Sequence, residues 1–308
     1  MNISITGASG FVGQNLIKYL AKYKYELYKL DLLKLDLYLN VDVIIHLAGK
    51  AHDLIKGSSS NEYYRVNTEL SQKVFDAFLN SNAKVFITLS SVKAVADEVN
   101  GELKEEEISN PVTHYGKSKL LAEQYILSKE IPKGKRVYIL RPCMIHGPGN
   151  KGNLNLLYNI VCKGFPWPLG DFENKRSFCS IENLCFIIKE FIEREDIPSG
   201  VYNIADDIPL STNEVIRIIG ESKGEKSRIF SLNKSFIFFL ARLGDLMKLP
   251  LNTERLQKLT ESYIVSNEKI KKVIGKPLPV SSKEGLKRTF KSFSKNNQAL
   301  LVNDILQT

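Results

Sequence analysis

A glycine-rich loop close to the N-terminus restricts this chain to few folds. Residues 6–13 read Thr-Gly-Ala-Ser-Gly-Phe-Val-Gly, directly after a short apolar strand at 2–6 and at the start of a segment with helical spacing. Gly7 permits a tight turn, Gly10 lets the backbone approach a pyrophosphate, and Gly13 lets helix and strand pack closely. The helix N-terminus then faces the negative charge. The loop therefore predicts dinucleotide binding, with contacts from Gly7, Ser9, Gly10, Phe11, Val12 and Gly13.

The first half of the chain alternates apolar strands with amphipathic helices. Strands are predicted at 25–30, 41–47, 84–89 and 136–140, and helices at 11–22, 64–79 and 115–128. This alternation is typical of a parallel sheet with helices on both faces. We expect an α/β fold, with a Rossmann-type doubly wound parallel sheet and a smaller mixed α/β substrate domain.

The pattern changes after Pro142, where glycine-rich loops at 147–152 and 164–170 are followed by short helices and isolated strands. We expect a dinucleotide-binding domain over 1–142 and a mainly substrate-binding domain over 143–308. Elements near 176–205 are expected to return to the sheet. The polar stretch from about 292 is expected to form a mobile tail.

Charge and composition exclude several classes of protein. The 308 residues carry a net charge of +9, which favours an anionic partner. We expect no specific nucleic-acid binding, because no nucleic-acid signature accompanies the C-terminal lysines. The four cysteines lack metal-ligand spacing, which favours reduced thiols in the cytoplasm and no metal site. No run is long enough to insert into a membrane, and 235–247 predicts a core helix rather than a membrane-surface helix.

An acidic residue follows the second predicted strand, 18 residues after Gly13. A carboxylate at Asp31 accepts hydrogen bonds from the adenosine ribose and repels a 2′-phosphate. Asp31 therefore favours NAD over NADP. Asp36 and Leu37 are candidates for contacts to the adenine.

A tyrosine and a lysine lie four residues apart on the helix predicted at 115–128. Tyr115 and Lys119 share one face of it. The Lys119 ammonium, together with the cationic nicotinamide, is expected to lower the pKa of the phenol so that it acts as a base. Ser91 follows the predicted strand 84–89, at the end where ligands bind in parallel sheets. It is expected to hydrogen-bond the substrate oxygen whose proton Tyr115 moves.

Together these motifs resemble the extended short-chain dehydrogenases/reductases, in particular the NAD-dependent nucleotide-sugar epimerase/dehydratase family. The likeness runs from TGASGFVG through HLAG (46–49), Asn67, LSS (89–91), YGKSK (115–119) and LRP (140–142) to RSF (176–178). It implies that Ser91, Tyr115 and Lys119 form the catalytic triad. It also implies cofactor contacts from Leu47, Ala48, Gly49, Asn67, Ser90, Tyr115, Lys119 and Pro142.

The same resemblance implies a site for a nucleotide-sugar diphosphate. Arg176 matches an arginine that reaches the diphosphate, and a guanidinium fork suits phosphate geometry. Asn153 matches an asparagine of a substrate loop. Tyr263 and Arg255 are weaker matches, since each also suits an ordinary helix surface.

Departures from the family pattern narrow the expected chemistry. Dehydratases carry an Asp-Glu pair where this chain has Val92 and Lys93, so dehydration is not expected. Met144 stands where galactose epimerases often have an asparagine, which argues against simple UDP-galactose specificity. The Ser-aliphatic-Lys run resembles 4-epimerases and 4-keto-sugar reductases acting on UDP-N-acetyl-hexosamines.

Four functions remain open from the sequence. The first is an NAD-dependent epimerase acting at C4 of a UDP-sugar of the N-acetyl-hexosamine type, through a 4-keto intermediate. The second is an NAD(P)H-dependent reductase of a UDP-4-keto-6-deoxy-HexNAc in surface polysaccharide biosynthesis. The third is a non-catalytic NAD(H) sensor, which the intact triad disfavours, and the fourth is a nucleic-acid binder. The helices at 68–79 and 115–128 match a dimer bundle of the family and predict a homodimer.

Overall fold

The computed structural model describes residues 1–30, 40–51, 60–150, 152–247 and 252–306, with side chains up to Ser294 except that of Asn153. Asp31, Asp36 and Leu37 lie outside the described residues. The described chain divides into two compact units. The first unit comprises 1–143, 181–205 and 265–279, and the second comprises 144–180, 206–264 and 280–308. The segment 265–279 thus joins the first unit, although the sequence analysis left it in the second domain.

The first unit is built on six parallel strands. They are β1 (Asn2–Thr6), β2 (Glu26–Lys29), β3 (Val43–His46), β4 (Val85–Leu89), β6 (Arg136–Pro142) and β9 (Gly200–Ile204), in the order β2-β1-β3-β4-β6-β9. Every neighbouring pair is parallel. The chain turns outward from β1 to β2 and then crosses to β3, so β1 and β3 form a switch point where doubly wound sheets bind ligands. The predicted Rossmann-type fold is confirmed.

The helices of the first unit are α1 (Phe11–Leu20), α2 (Ser60–Tyr63), α3 (Leu70–Leu79), α4 (His114–Leu127), α6 (Ile181–Glu193) and α10 (Glu268–Ile274). A π-helical segment, Tyr64–Glu69, joins α2 to α3, and a 3-10 turn, Val92–Ala94, follows β4. A short strand β5 (Glu102–Leu103) lies between that turn and α4. Aromatic packing of Phe75, Phe78 and Phe86 closes the core between sheet and helices, and all three side chains are fully buried.

The second unit contains a parallel strand pair, β7 (Met144–His146) and β8 (Phe178–Ser180), packed with helices. The helices are α5 (Asn153–Cys162), α7 (Thr212–Lys223), α8 (Lys234–Met247), α9 (Thr253–Thr260) and α11 (Ser282–Leu306), and β10 (Ile264–Val265) ends at the border with the first unit. One apolar cluster, which includes Trp167, Ile219 and Phe290, forms the core. The stretch expected to be a tail from about 292 has helical backbone as the end of α11.

In the described part of the chain, no helix is long and apolar enough to cross a membrane.

Candidate active site

The glycine loop forms a tight cradle between β1 and α1. Gly7 has a left-handed backbone, with φ +67°, and a Cβ there would lie 2.6 Å from the amide nitrogen of Ala48. A Cβ on Gly13 would lie 2.3 Å from the Gly7 carbonyl oxygen. Neither position tolerates a side chain. Steric crowding therefore explains why this loop has glycine at both positions.

The N-terminus of α1 is available to a ligand. Its N-cap is Gly10, which supplies no side-chain hydrogen bond to the first turn, and Ser9 and Gly10 are both exposed. Phe11 and Val12 follow as half-buried residues. Since the first N–H groups of a helix lack intrahelical partners and carry partial positive charge, this terminus suits a pyrophosphate.

At the end of β3, His46 ties the glycine loop to a neighbouring helix. The His46 Nδ1 lies 2.8 Å from Thr6 Oγ1, and its Nε2 lies 3.0 Å from Ser71 Oγ. Burial, with a contribution from the charge of Lys119, lowers the pKa of His46 to about 3. The imidazole is therefore neutral and structural, and it holds the start of the Leu47–Gly49 segment beside the cradle.

Asn67 organises the residues that follow β3. Its Oδ1 accepts a hydrogen bond of 2.8 Å from the Lys50 N–H, while its Nδ2 donates to the Lys50 carbonyl at 3.0 Å and to Ser118 Oγ at 3.0 Å. Asn67 lies in the π-helical segment, a feature often found at functional sites. A Cβ on Gly49 would lie 3.0 Å from Lys119 Nζ, so this glycine is packed against the lysine.

Helix α4 presents Tyr115 and Lys119 beside the end of β4. Thr113 caps the helix by accepting from the Gly116 N–H at 3.2 Å. Gly116 has no space for a side chain, because a Cβ would lie 2.4 Å from the Lys93 carbonyl oxygen. Lys119 Nζ donates to the Leu89 carbonyl at 2.8 Å, and Tyr115 hydrogen-bonds with the side chain of Ser91. The structure thus brings Ser91, Tyr115 and Lys119 together at the carboxyl end of β4.

In the protein alone, the pKa of Tyr115 is higher than that of a free phenol. Burial raises the pKa of Tyr115, the Ser91 hydrogen bond acts in the opposite direction, and nearby Tyr63 adds to the rise. Burial also lowers the pKa of Lys119 to about 8, against a raising contribution from Glu123. Desolvation is the largest cause of both shifts, and in the protein alone Tyr115 is a neutral phenol at neutral pH.

Two clusters that sequence reasoning missed support these groups. Glu123, one turn after Lys119, accepts hydrogen bonds from Arg141 Nε at 3.0 and 3.1 Å and from Nη2 at 2.5 Å, and both side chains are buried. For Glu123, the sequence did contain a signal, because Tyr115, Lys119 and Glu123 follow one another at four-residue spacing on α4. In the second cluster, Lys50 Nζ lies 2.5 Å from Glu62 and 5.5 Å from the ring centre of Tyr63.

Tyr63 connects this second cluster to the phenol. Its ring lies edge-on to Tyr115, with the ring centres 6.3 Å apart. Nearby, the hydroxyl of Tyr64 lies 3.1 Å from His114 Nδ1. Aromatic and charged side chains therefore lie around Tyr115, and the short sequence motifs do not predict them.

The residues present fit a dinucleotide. Ser90 is buried, and its Oγ has no hydrogen-bond partner among the described residues, so it offers a donor to a bound group. Pro142 is buried at the end of β6, paired with Ile204 of β9. Of the other expected cofactor contacts, Asp31, Asp36 and Leu37 lie outside the described residues.

Among the described residues, no group of three or more His, Cys, Asp or Glu side chains could hold a metal ion.

In the second unit, Arg176 forms isolated β-bridges with two other segments of the chain. Its backbone pairs with Leu210 and with Tyr263. Its guanidinium donates to the Lys258 carbonyl at 2.5 Å and pairs with Glu261 at 3.2 Å. Burial lowers the pKa of Arg176, and Glu261 counteracts this.

Tyr263 is buried rather than on a helix surface, whereas Arg255 is an exposed residue of α9. Asn153 begins α5, but its side chain is outside the described set.

Known proteins resemble the chain along its length. The NAD dependent epimerase/dehydratase family matches residues 3–205. UDP-glucose 4-epimerase of Vibrio cholerae is 28% identical over 327 aligned residues, with 96% of each chain covered. N-acetyl-alpha-D-glucosaminyl-diphospho-ditrans,octacis-undecaprenol 4-epimerase of Escherichia coli O157:H7 is 28% identical, with 88% of this chain and 85% of that protein covered.

A solved structure has the same fold. UDP-glucuronic acid 4-epimerase of Bacillus cereus, in complex with NAD, superposes with a TM-score of 0.75 at 19% identity, with 96% of this chain and 99% of that one covered. The sheet order, the glycine cradle and the Ser-Tyr-Lys arrangement agree with the family match. The chain therefore belongs to the NAD dependent epimerase/dehydratase family, and it is an NAD-dependent enzyme of the extended short-chain dehydrogenase/reductase type.

Proposed function

We propose that the chain is an NAD-dependent 4-epimerase of a UDP-sugar, with a UDP-N-acetyl-hexosamine as its substrate. The observation that carries the proposal is the hydrogen bond between Tyr115 and Ser91, with Lys119 one turn further along α4. A phenol and a serine hydroxyl held together can both contact one substrate oxygen, as proton transfer at a sugar hydroxyl requires. The two curated 4-epimerases support the choice of reaction.

The proton steps belong to Tyr115, Ser91 and Lys119. Bound NAD supplies a hydride acceptor for C4 and a positive charge close to the phenol. Ser91 would orient the C4 hydroxyl, and the phenolate of Tyr115 would take its proton when the C4 hydride is removed, which would produce a 4-keto sugar. After the sugar turns over, Tyr115 would give the proton back to the C4 oxygen when hydride is added to the opposite face. Lys119, held by the Leu89 carbonyl, would stabilise the phenolate before the first proton transfer and after the second.

Val92 and Lys93 support epimerisation over dehydration. Both follow Ser91 in the 3-10 turn, where Lys93 Nζ donates to the Asp97 carbonyl at 2.6 Å. An aliphatic side chain and a lysine committed to a backbone oxygen do not supply the acid and base that removal of water from C5 and C6 needs.

The substrate's diphosphate is proposed to bind at Arg176, with Asn153, Arg255 and Tyr263 as further contacts. The half-buried guanidinium of Arg176 already faces an anion, Glu261, across 3.2 Å. A diphosphate oxygen is a stronger acceptor for the same fork. The proposal requires that ligand binding displaces or supplements the Glu261 carboxylate.

The cofactor preference and the assembly state are also proposals. Asp31 is proposed to select NAD over NADP. A homodimer is proposed through α3 and α4, which is supported by exposed leucines, Leu121 and Leu127, on α4. The four free thiols suit a reducing compartment, and we propose a cytoplasmic location.

The decisive experiment incubates the purified enzyme with UDP-GlcNAc, without added cofactor, and analyses the products for UDP-GalNAc. An epimerase recycles its NAD, so conversion without added cofactor supports the proposal. A parallel reaction with a UDP-4-keto-6-deoxy-HexNAc and NADH tests the reductase alternative, which consumes NADH stoichiometrically. Failure of both reactions in a protein that binds NADH would favour the sensor hypothesis.

A second substrate is worth testing because of the Escherichia coli relative. That protein's name specifies a sugar carried on undecaprenyl diphosphate rather than on UDP. The same diphosphate and N-acetyl-hexosamine occur in both substrates. Epimerisation of the lipid-linked sugar in detergent, without turnover of UDP-GlcNAc, would move the proposal from the nucleotide sugar to the lipid-linked one.

A further inference from the structure

Helix α8 of the second unit exposes an apolar face. Ile237, Ala241 and Gly244 are buried, and the first two belong to the apolar core of this unit. On another side of the helix, exposed apolar residues recur three or four positions apart, so they share one face. We call them the α8 patch: Phe236, Phe239, Leu243, Leu246 and Met247.

Several members of the α8 patch are more than half exposed. Phe239 is 56% exposed, Leu246 82% and Met247 64%. An amphipathic core helix was expected at 235–247, and one side of α8 does pack in the core. The exposed side, however, carries apolar residues. Exposed apolar residues gathered on one helix face are typical of a place where another surface binds.

Positive charge is concentrated in the sequence segment that contains α8. Residues 226–260 contain seven Lys or Arg and only two Asp or Glu, so these 35 residues supply more than half of the net charge of +9. Six of the seven basic residues are described, and all six are exposed: Lys226, Arg228, Lys234, Arg242, Arg255 and Lys258. Both acidic residues are already engaged, since Asp245 accepts from the Thr253 N–H and Glu254 pairs with Lys258.

We propose that the α8 patch and its basic surroundings dock this protein on the surface of an anionic lipid bilayer. Interfacial helices of this kind bury Phe and Leu at the acyl boundary while Lys and Arg meet the headgroups. The helix lies on the membrane and does not cross it. The proposal depends on α8 alone and not on the reaction proposed for the Tyr115 site.

Charge distinguishes the lipid surface from a second copy of the chain. A two-fold self-contact places the same surface on both subunits, so two basic segments would face each other. Like charges at such a contact oppose association. An anionic bilayer instead gains attraction from each exposed Lys or Arg.

The first test measures co-sedimentation with vesicles of equal parts phosphatidylglycerol and phosphatidylcholine, compared with phosphatidylcholine alone. We expect binding to the anionic vesicles that weakens as NaCl is raised. Phe239→Ser/Leu243→Ser should weaken binding at least tenfold, because both side chains lose their apolar insertion. Lys234→Glu/Arg242→Glu should weaken it by at least about 25-fold, at about fivefold for each charge removed.

Matched controls change exposed residues of the same kind elsewhere. Ile108→Ser/Ile208→Ser removes two exposed apolar side chains, and Lys104→Glu/Lys133→Glu reverses two exposed charges. Both controls should bind vesicles like the wild type. In addition, Phe239→Trp should be quenched by brominated lipid, whereas Ile108→Trp should not. Circular dichroism confirms that each variant is folded.

Three results would overturn the proposal. One is equal binding to both vesicle types or to neither. Another concerns the Phe239→Ser/Leu243→Ser variant. If it binds vesicles with wild-type affinity but no longer forms a dimer in light scattering, the patch serves self-association. The third is tight binding of duplex DNA that depends on Lys234 and Arg242 but not on Phe239, without binding to vesicles. Turnover of water-soluble UDP-GlcNAc should be unchanged in the α8 variants, which separates this proposal from the proposed function.

Discussion

The side-chain amide of Asn67 hydrogen-bonds both backbone polar groups of Lys50. Its Oδ1 accepts from the Lys50 N–H at 2.8 Å, and its Nδ2 donates to the Lys50 carbonyl at 3.0 Å. Asn67 is fully buried, and Lys50 directly follows the Leu47–Gly49 segment beside the glycine cradle. One amide side chain thereby ties the π-helical segment to the end of β3. It also bonds Ser118 of α4 at 3.0 Å, so three elements of the candidate site meet at this residue.

Replacing Asn67 should destabilise the first unit. Asn67→Leu removes the hydrogen bonds to the Lys50 backbone and to Ser118, and a buried polar group that loses its bond costs about 1–3 kcal/mol. Urea denaturation should show a lower free energy of unfolding. The control is Asn80→Ala, which removes an exposed amide that bonds the Asp76 carbonyl, and it should change stability by less than about 0.5 kcal/mol. An Asn67→Leu protein as stable as the wild type would contradict this account.

Much of the candidate site could be predicted because short motifs encode it. The glycine loop and Tyr115-x-x-x-Lys119 are local in sequence, and the structure places Tyr115 and Lys119 on α4 beside the end of β4. The raised pKa of Tyr115 in the protein alone could not be predicted from the motif, because it results from burial, with a contribution from Tyr63. Arg141 and Glu261 were missed as partners, since each pairs with a residue on another element, 18 and 85 positions away.

Removal of the Tyr115 hydroxyl should stop the chemistry and preserve the fold. Tyr115→Phe loses the group that exchanges a proton with the substrate, so the rate should fall by about 10²–10⁴. NADH binding should remain, because the cradle at Gly7–Gly13 is unchanged. Tyr125→Phe is the control on the same helix, because its hydroxyl bonds Asp76 rather than Ser91. Near-wild-type turnover by Tyr115→Phe would contradict the assignment of the base.

His46 should make the protein less stable in acid. Its folded-state pKa of about 3 lies below the ordinary value of about 6.5, so the unfolded chain takes up the proton first. The stabilising effect of the neutral imidazole is complete above about pH 6.5 and is lost as the pH falls toward 3. This one group should contribute up to about 1.4 kcal/mol per pH unit to that loss.

The measurement for His46 is the free energy of unfolding between pH 4 and pH 8. His46→Gln should reduce the slope over the acidic half of this range. The control is His114→Gln, which changes an exposed histidine beside the site and should keep the wild-type slope. An unchanged slope in His46→Gln would assign the acid sensitivity to other groups.

Asp31 should determine the cofactor preference. Its carboxylate is predicted to accept hydrogen bonds from the ribose hydroxyls and to repel a 2′-phosphate. The wild type should therefore bind NADH more tightly than NADPH, and Asp31→Ala should reduce the difference. Fluorescence titration with both nucleotides provides the dissociation constants. Tighter binding of NADPH by the wild type would show that the interpretation of Asp31 is wrong.

Arg176 should contribute to binding of the nucleotide sugar but not to binding of the dinucleotide. Arg176→Ala removes a charge-assisted contact worth about 1.5–3 kcal/mol, so UDP should bind roughly 10- to 150-fold more weakly. NADH affinity should hardly change, since its pyrophosphate is assigned to the Gly7–Gly13 cradle. Arg217→Ala, an exposed arginine on α7 in the same unit, is the control. Calorimetric titration of UDP and NADH into each variant separates the two effects.

Glu261 provides an independent check on the same site. It pairs with Arg176 at 3.2 Å, so it competes with any diphosphate for the guanidinium. Glu261→Gln keeps the size of the side chain and removes its charge, and UDP should then bind more tightly than to the wild type. In the Arg176→Ala background the same change should have a smaller effect, because the competition no longer exists. Equal loss of UDP and NADH affinity in Arg176→Ala, or no gain from Glu261→Gln, would place the diphosphate away from Arg176.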